Sequence, residues 1–344
     1  MSGSGRAADY RAPTWLPGAH AQTVWPALIS PRPAVSYRRE CWDTPDGDRI
    51  DLDWADPLPH APRLQPRPTL VLFHGLEGSA QSHYARALMA AAAARGLEGV
   101  VVHFRGCGGT LNLKPRAYHS GDIEEADWVL RRLASRPAAG PLLAVGVSLG
   151  GNVLLKWLGE HGHAAECVQA AVAVSPPQDL HAGAMALSRG FNRVYTRNFL
   201  QTLKPKSLAL LERHPGLLDR SRVLASRDFF DFDEHVTARL HGFASALDYW
   251  TRSSCRPVLG GITVPTRIIN ALNDPFLPAS ALAGPREVSA EVELVYPAQG
   301  GHVGFASGPP PGKQTWLVDR VFGHFGRVLG AGAMPEPAPQ AGLH

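Results

Sequence analysis

Cysteine is scarce in this 344-residue chain: Cys41, Cys107, Cys167 and Cys255 lie far apart, with no C-x-x-C pair. That spacing excludes a disulfide framework and the usual zinc sites, and it suits a reducing compartment, so the expected location is cytoplasmic. Charge of one sign is also thin. A net +4 with scattered Lys and Arg and no basic block argues against a nucleic-acid partner. No apolar run approaches the ~18 residues that would make a membrane span. The opening Met1-Ser2-Gly3-Ser4-Gly5-Arg6 lacks the apolar core of a secretory leader, so none is expected. No H-x-x-x-H or comparable spacing suggests a metal site. What remains is 44% hydrophobic and 19% charged, an ordinary globular composition with ample material for a large core.

The pattern along the chain changes three times. Residues 1–68 read as an N-terminal extension followed by a hairpin, with strands at 35–42 and 49–54 around the Asp46-Gly47 turn. The apolar stretch 15–29 is read as packing against the body rather than lying on a lipid surface. From Thr69 strands and helices alternate: strands at 70–73, 100–104, 142–147 and 168–174, and helices at 81–95 and 121–136. Near-continuous apolar strands separated by helices predict a mostly parallel central sheet covered on both faces, an α/β fold. Residues 177–257 are helical and read as a cap over the sheet's C-terminal edge, where open α/β sheets bind ligands. The core, 69–176, resumes over 258–330, with strands at 265–269 and 292–296 and a helix at 315–328. The Pro- and Ala-rich tail 331–344 is expected to be disordered.

Chemistry enters at Gly146-Val147-Ser148-Leu149-Gly150, directly behind the apolar run Leu142-Leu143-Ala144-Val145. A strand that runs through Gly-x-Ser-x-Gly straight into a helix is the pattern of a nucleophile elbow. The glycines let strand and helix approach closely enough to expose the serine hydroxyl. Alone the pentapeptide is a weak signal, arising by chance in roughly one chain of this length in ten. Its setting makes Ser148 the candidate nucleophile.

A serine hydroxyl needs a base, and the base needs an orienting acid. In this fold the chain order is serine, acid, histidine. Asp274, in Asn273-Asp274-Pro275 after a late strand, fits the acid; His302, in Gly300-Gly301-His302-Val303-Gly304 after the last strand, fits the base. The backbone N–H groups of Leu149 and Leu76 are the candidate oxyanion donors. His74 reads as a structural loop residue and His103 as a core or edge residue within a strand. His161, His163, His181, His214 and His241 read as solvated helical positions. His119 precedes Ser148 in the chain, which disfavours it as the base. Asp231, Asp233 and Asp248 lie in the cap, out of easy reach of the base, and Cys107 is read as unreactive.

These motifs, with Phe104-Arg105-Gly106-Cys107-Gly108-Gly109, Tyr118-His119-Ser120-Gly121, Gly18-Ala19-His20-Ala21-Gln22-Thr23 and the stretch from Phe230-Asp231 to Gly242-Phe243, resemble those of the YheT-type α/β-hydrolases. That is the bacterial branch of the family holding the ABHD phospholipases and the yeast medium-chain ester-forming enzymes. The resemblance runs from about Pro13 to Phe325. It implies an α/β-hydrolase fold, the triad Ser148, Asp274 and His302, carboxylic-ester chemistry, and neither metal nor organic cofactor. The expected activity is hydrolysis of short- or medium-chain or lipid-derived esters through an acyl-enzyme on Ser148. Three alternatives stay open: an alcohol O-acyltransferase using the same triad, a lipase working at an interface, and a non-catalytic hydrolase-fold receptor or scaffold.

Overall fold

The turn at Asp46-Gly47 opens the architecture, because Gly47 supplies the φ of 76° that a tight reversal needs. It joins β1 (Arg38–Asp43) to β2 (Arg49–Ala55) as an antiparallel hairpin. The computed structural model, which describes residues 10–137, 139–330 and 335–336, adds six strands. They are β3 (Thr69–Phe73), β4 (Glu98–Val102), β5 (Leu142–Val147), β6 (Ala170–Val174), β7 (Thr266–Ile269) and β8 (Val292–Val295). The sheet order is β1-β2-β4-β3-β5-β6-β7-β8, antiparallel across β1–β2 and β2–β4 and parallel elsewhere. This is the expected mostly parallel α/β sheet.

Helices cover both faces. They are α1 (Ala19–Leu28), α2 (His83–Ala94), α3 (Ile123–Ala134) and α4 (Leu149–His161), and in the second half α5 (Leu180–Leu187), α6 (Arg193–Arg213), α7 (Arg220–Ala225), α8 (Phe229–Phe232), α9 (Ala238–His241), α10 (Ala246–Ser253) and α11 (Thr315–Leu329). Successive strand side chains point to opposite faces. Val71, Phe73 and Ala144 therefore share a core with Leu130 of α3 and Trp157 of α4. Leu70, Leu72 and Val145 share the other with Leu88 of α2 and Phe325 of α11. None of the described helices is long and apolar enough to cross a membrane.

Helices α5 to α10, with a π-helical turn at Asp233–Thr237, fall between β6 and β7. They carry two small cores of their own, one around Tyr249 and Trp250, the other around Leu200, Val223 and Phe232. Asn152 of α4 is fully buried and ties this insertion to the sheet. Its amide donates to Ser120 O (2.7 Å) and Ser253 O (2.8 Å), and its oxygen accepts the Cys255 N–H (2.9 Å).

Two expectations need correction. His103 is buried as expected and its N–H donates to Asp51 O at 2.9 Å, but it lies one residue beyond β4, which ends at Val102, and its imidazole meets Asp53 Oδ2 at 2.9 Å. His241 is not a solvated position, since its ring packs 4.3 Å from that of His119 and burial holds its pKa down at about 3. The tail 331–344 lies outside the described residues apart from 335–336.

Candidate active site

Ser148 sits where β5 stops and α4 begins, with φ 52° and ψ −120°, a backbone that non-glycine residues adopt only under constraint. Its N–H donates to Val174 O (2.8 Å), and the Gly150 N–H donates to His74 O (3.1 Å). The flanking glycines are required by space. A Cβ on Gly146 would lie 2.4 Å from Gly150 O, and one on Gly150 would lie 2.4 Å from Phe73 O.

The structure brings Ser148, His302 and Asp274 into one line. His302 Nε2 lies 2.9 Å from Ser148 Oγ, and Nδ1 lies 2.8 Å from Asp274 Oδ2. An ionised carboxylate only accepts, so Nδ1 carries the proton and Nε2 is free to accept from the serine hydroxyl. Asp274 is buried and its other oxygen accepts the Phe276 N–H at 2.8 Å. The Phe276 ring stacks on the His302 imidazole, with centroids 4.1 Å apart and planes at 18°. These contacts fix the imidazole against rotation.

The loop carrying His302 is held from the other end of the chain. Thr23 Oγ1 accepts the His302 N–H (2.9 Å), and Gln22 Oε1 accepts from Gly300 N (3.0 Å) and Asn273 Nδ2 (2.9 Å). Asn273 Oδ1 in turn accepts the Gly301 N–H (3.0 Å), joining the acid and base loops. Sequence reasoning attached Gln22 and Thr23 only to a family motif. Three polar residues, His20, Gln22 and Thr23, inside a mostly apolar stretch were the available signal.

Among the described residues, neither the Leu149 nor the Leu76 N–H meets an acceptor, although their neighbours do. Leu149 opens α4, where the helix dipole adds partial positive charge. His74, fully buried, ties its loop to the segment after β4: Nδ1–H donates to Gly75 O (2.7 Å), and Nε2 accepts the Phe104 N–H (3.2 Å).

Ser148 and His302 open into a cavity of about 130 Å³. Leu180, Ala184, Leu187, Phe199, Leu203 and Phe276 give it an apolar wall, while His119 and Asp233 are polar points in its lining. Burial pushes the Asp233 carboxyl up to about 6, against the pull of hydrogen bonds from Thr237 and Trp250. Nothing in the sequence distinguished Asp233 from its neighbours in the insertion. Cys107 is largely buried, and burial raises its thiol to about 11, which leaves it protonated at neutral pH.

A mostly parallel sheet with a constrained serine between strand and helix defines a class, and the chain belongs to it: the family described as alpha/beta hydrolase fold matches residues 68–309. Within that class it is a YheT-type member. It is 41% identical over 304 residues to the Escherichia coli (strain K12) protein "Putative esterase YheT", covering 88% of each chain. It is 31% identical over 327 residues to the human protein "Phospholipase ABHD3", covering 93% of this chain and 79% of that one. The fold recurs in Est1E from Butyrivibrio proteoclasticus, with a TM-score of 0.54 and 12% identity over 86% of this chain and 99% of that one. It recurs also in the Pyrococcus furiosus esterase Pf2001, with a TM-score of 0.53 and 17% identity over 86% of this chain and 94% of that one.

Proposed function

We propose that the chain hydrolyses carboxylic esters through an acyl-enzyme on Ser148. The observation that carries this reading is the unbroken hydrogen-bonded line Asp274–His302–Ser148 at an apolar cavity. His302 takes the Ser148 proton as Oγ adds to the ester carbonyl. The Leu149 and Leu76 N–H groups receive the oxyanion, each worth roughly 3 to 4 kcal/mol in the transition state. Collapse of the tetrahedral adduct expels the alcohol, which leaves with the proton held on His302. Water, deprotonated by His302, then attacks the acyl carbon, and the acid departs as Ser148 regains its proton.

The apolar wall suits the acyl chain of a short- to medium-chain ester. The four cysteines are free, which fits a reducing cytoplasm. The test is hydrolysis of p-nitrophenyl esters from acetate to palmitate by wild type and Ser148→Ala. Activity confined to wild type supports the serine mechanism, and its chain-length optimum sizes the pocket. Equal rates in both proteins sink it. Added ethanol in the same assay separates hydrolysis from acyl transfer, because a transferase partitions its acyl-enzyme to the ethyl ester.

A further inference from the structure

The oxyanion loop is gripped from the helical insertion. Glu77 follows Leu76 and has a φ of 55°, a left-handed conformation that a glutamate holds only when its surroundings impose it. Its N–H donates to Tyr118 OH at 3.0 Å, while its Oε1 accepts from that same hydroxyl at 2.7 Å. Lys206 of α6 reaches across from the insertion and donates to the same Oε1 at 2.8 Å. Tyr118 is itself immobilised, buried and stacked on Phe104 with centroids 5.2 Å apart and planes at 10°. Leu76 and Tyr118 both line the cavity that holds Ser148. Among the described residues, Lys206 is the only residue of the insertion hydrogen-bonded to the loop from His74 to Ser79. The C-terminal end of α6 docks elsewhere, through Arg213 on Asn112 O (2.7 Å) and, just past the helix, His214 on Leu113 O (2.9 Å).

We infer that Lys206 and Glu77 are positioning residues: their ion pair holds the loop in the strained conformation that presents the Leu76 N–H to the oxyanion, so the site is complete only with the insertion seated. The inference rests on the proposed role of Leu76. The peptide plane before Glu77 carries the Leu76 C=O and the Glu77 N–H that Tyr118 holds, so anchoring Glu77 pins the C-terminal side of Leu76 and, through that residue, the preceding plane that carries the Leu76 N–H. Without the ammonium, the carboxylate keeps only the Tyr118 hydroxyl and the weak Cys107 thiol (Sγ at 3.8 Å) as donors, and the strained backbone loses its anchor on the insertion side. Substrate binds in the apolar cavity, so ground-state affinity does not depend on the pair. The transition state does, because charge appears on the carbonyl oxygen only there.

Lys206 is half-buried, and Lys206→Met keeps most of its aliphatic stem. The experiment compares wild type, Lys206→Met, Lys206→Arg and Ser148→Ala on the preferred p-nitrophenyl ester. A trifluoromethyl ketone of matching chain length and the matching n-alkanol serve as inhibitors. The ketone adds Ser148 Oγ to its carbonyl carbon, leaving an oxyanion and a protonated His302, whereas the alkanol only fills the cavity. Lys206→Met is expected to lower kcat about tenfold with KM within about twofold, and to weaken the ketone by the same factor without changing the alkanol. Lys206→Arg, which restores the cation, recovers most of the loss. Unchanged kcat in Lys206→Met overturns the inference. So does an equal weakening of ketone and alkanol, which assigns the pair to holding the pocket's shape. If Ser148→Ala matches wild type, the serine reading falls first and the clamp with it.

Discussion

Thr23 Oγ1 accepts the backbone N–H of His302 at 2.9 Å, joining the first helix to a loop near the other end of the chain. That loop is not a relaxed one. Val303 and Phe305, neither of them glycine, have φ of 58° and 47°. Ser175 Oγ accepts the Val303 N–H at 3.1 Å, and Gln22 takes the Gly300 N–H. The strain around the imidazole is held by hydrogen bonds from α1 and from the end of β6, so placement of the base depends on segments remote from it in sequence.

Thr23→Val keeps the shape of the side chain and removes the acceptor, leaving the His302 N–H unsatisfied. A buried donor without a partner costs about 1 to 3 kcal/mol, part of it in stability and part in displacement of the imidazole. The expected outcome is a fall of about tenfold in kcat/KM toward p-nitrophenyl esters with a small drop in melting temperature. Steady-state kinetics beside a thermal melt separates the two, and unchanged kinetics would show that the loop keeps its geometry without α1.

Asp274→Asn tests the relay itself. An asparagine amide presented to Nδ1 favours the tautomer with its proton on Nε2, which cannot accept from Ser148 Oγ. We expect kcat to fall by roughly 10³- to 10⁴-fold with the fold intact. A loss smaller than about tenfold would remove Asp274 from the role of orienting acid.

Much of this was legible in local sequence, and the reason is physical. The elbow is a short-range object: an apolar strand, two glycines that steric contact demands, and a helix. Asp274 and His302 were legible because a parallel sheet delivers its strand ends to one edge in chain order. Contacts between distant segments left no such trace. Gln22 and Thr23 act on residues some 250 or more positions away, and Lys206 meets Glu77 across the insertion. His103 lies one residue past β4 although its N–H still donates to Asp51 O, because apolar runs do not fix a strand's end to the residue. His241 was misread because helical periodicity within the insertion does not reveal which face it turns to the core.

Leu187→Trp tests the apolar wall as the acyl site. Leu187 lines the cavity beside Ala184 and Phe276, and a tryptophan there occupies space without touching the catalytic line. The chain-length optimum should move to shorter esters, with acetate hydrolysis within about threefold of wild type, since short acyl groups do not need the filled volume. An unchanged optimum would place the acyl chain elsewhere and leave this wall to the alcohol.

Asp233 gives a prediction about stability whose sign can be worked out. Its carboxyl lines the cavity, buried, with Thr237 Oγ1 (2.6 Å) and Trp250 Nε1 (2.8 Å) as its hydrogen-bond donors and, among the described residues, no salt bridge. Burial raises its pKa from the ordinary 3.8 to about 6, so the folded state holds the proton more tightly than the unfolded chain does. By linkage, the contribution of this group to stability is greatest below pH 4. It declines as pH rises from about 4 to about 6, and stays flat above that, where folding must bury the charge. The difference between the ends of that window is about 2 to 3 kcal/mol. Asp233→Asn carries no charge at either end. It loses one acceptor for Thr237 or Trp250, a cost that does not vary with pH. Relative to wild type, the variant should therefore gain about 2 to 3 kcal/mol between pH 4 and pH 7.5, read from melting or denaturant curves run in pairs. A gap between the two proteins that is the same at both pH values would mean that a partner neutralises the carboxylate in the folded protein.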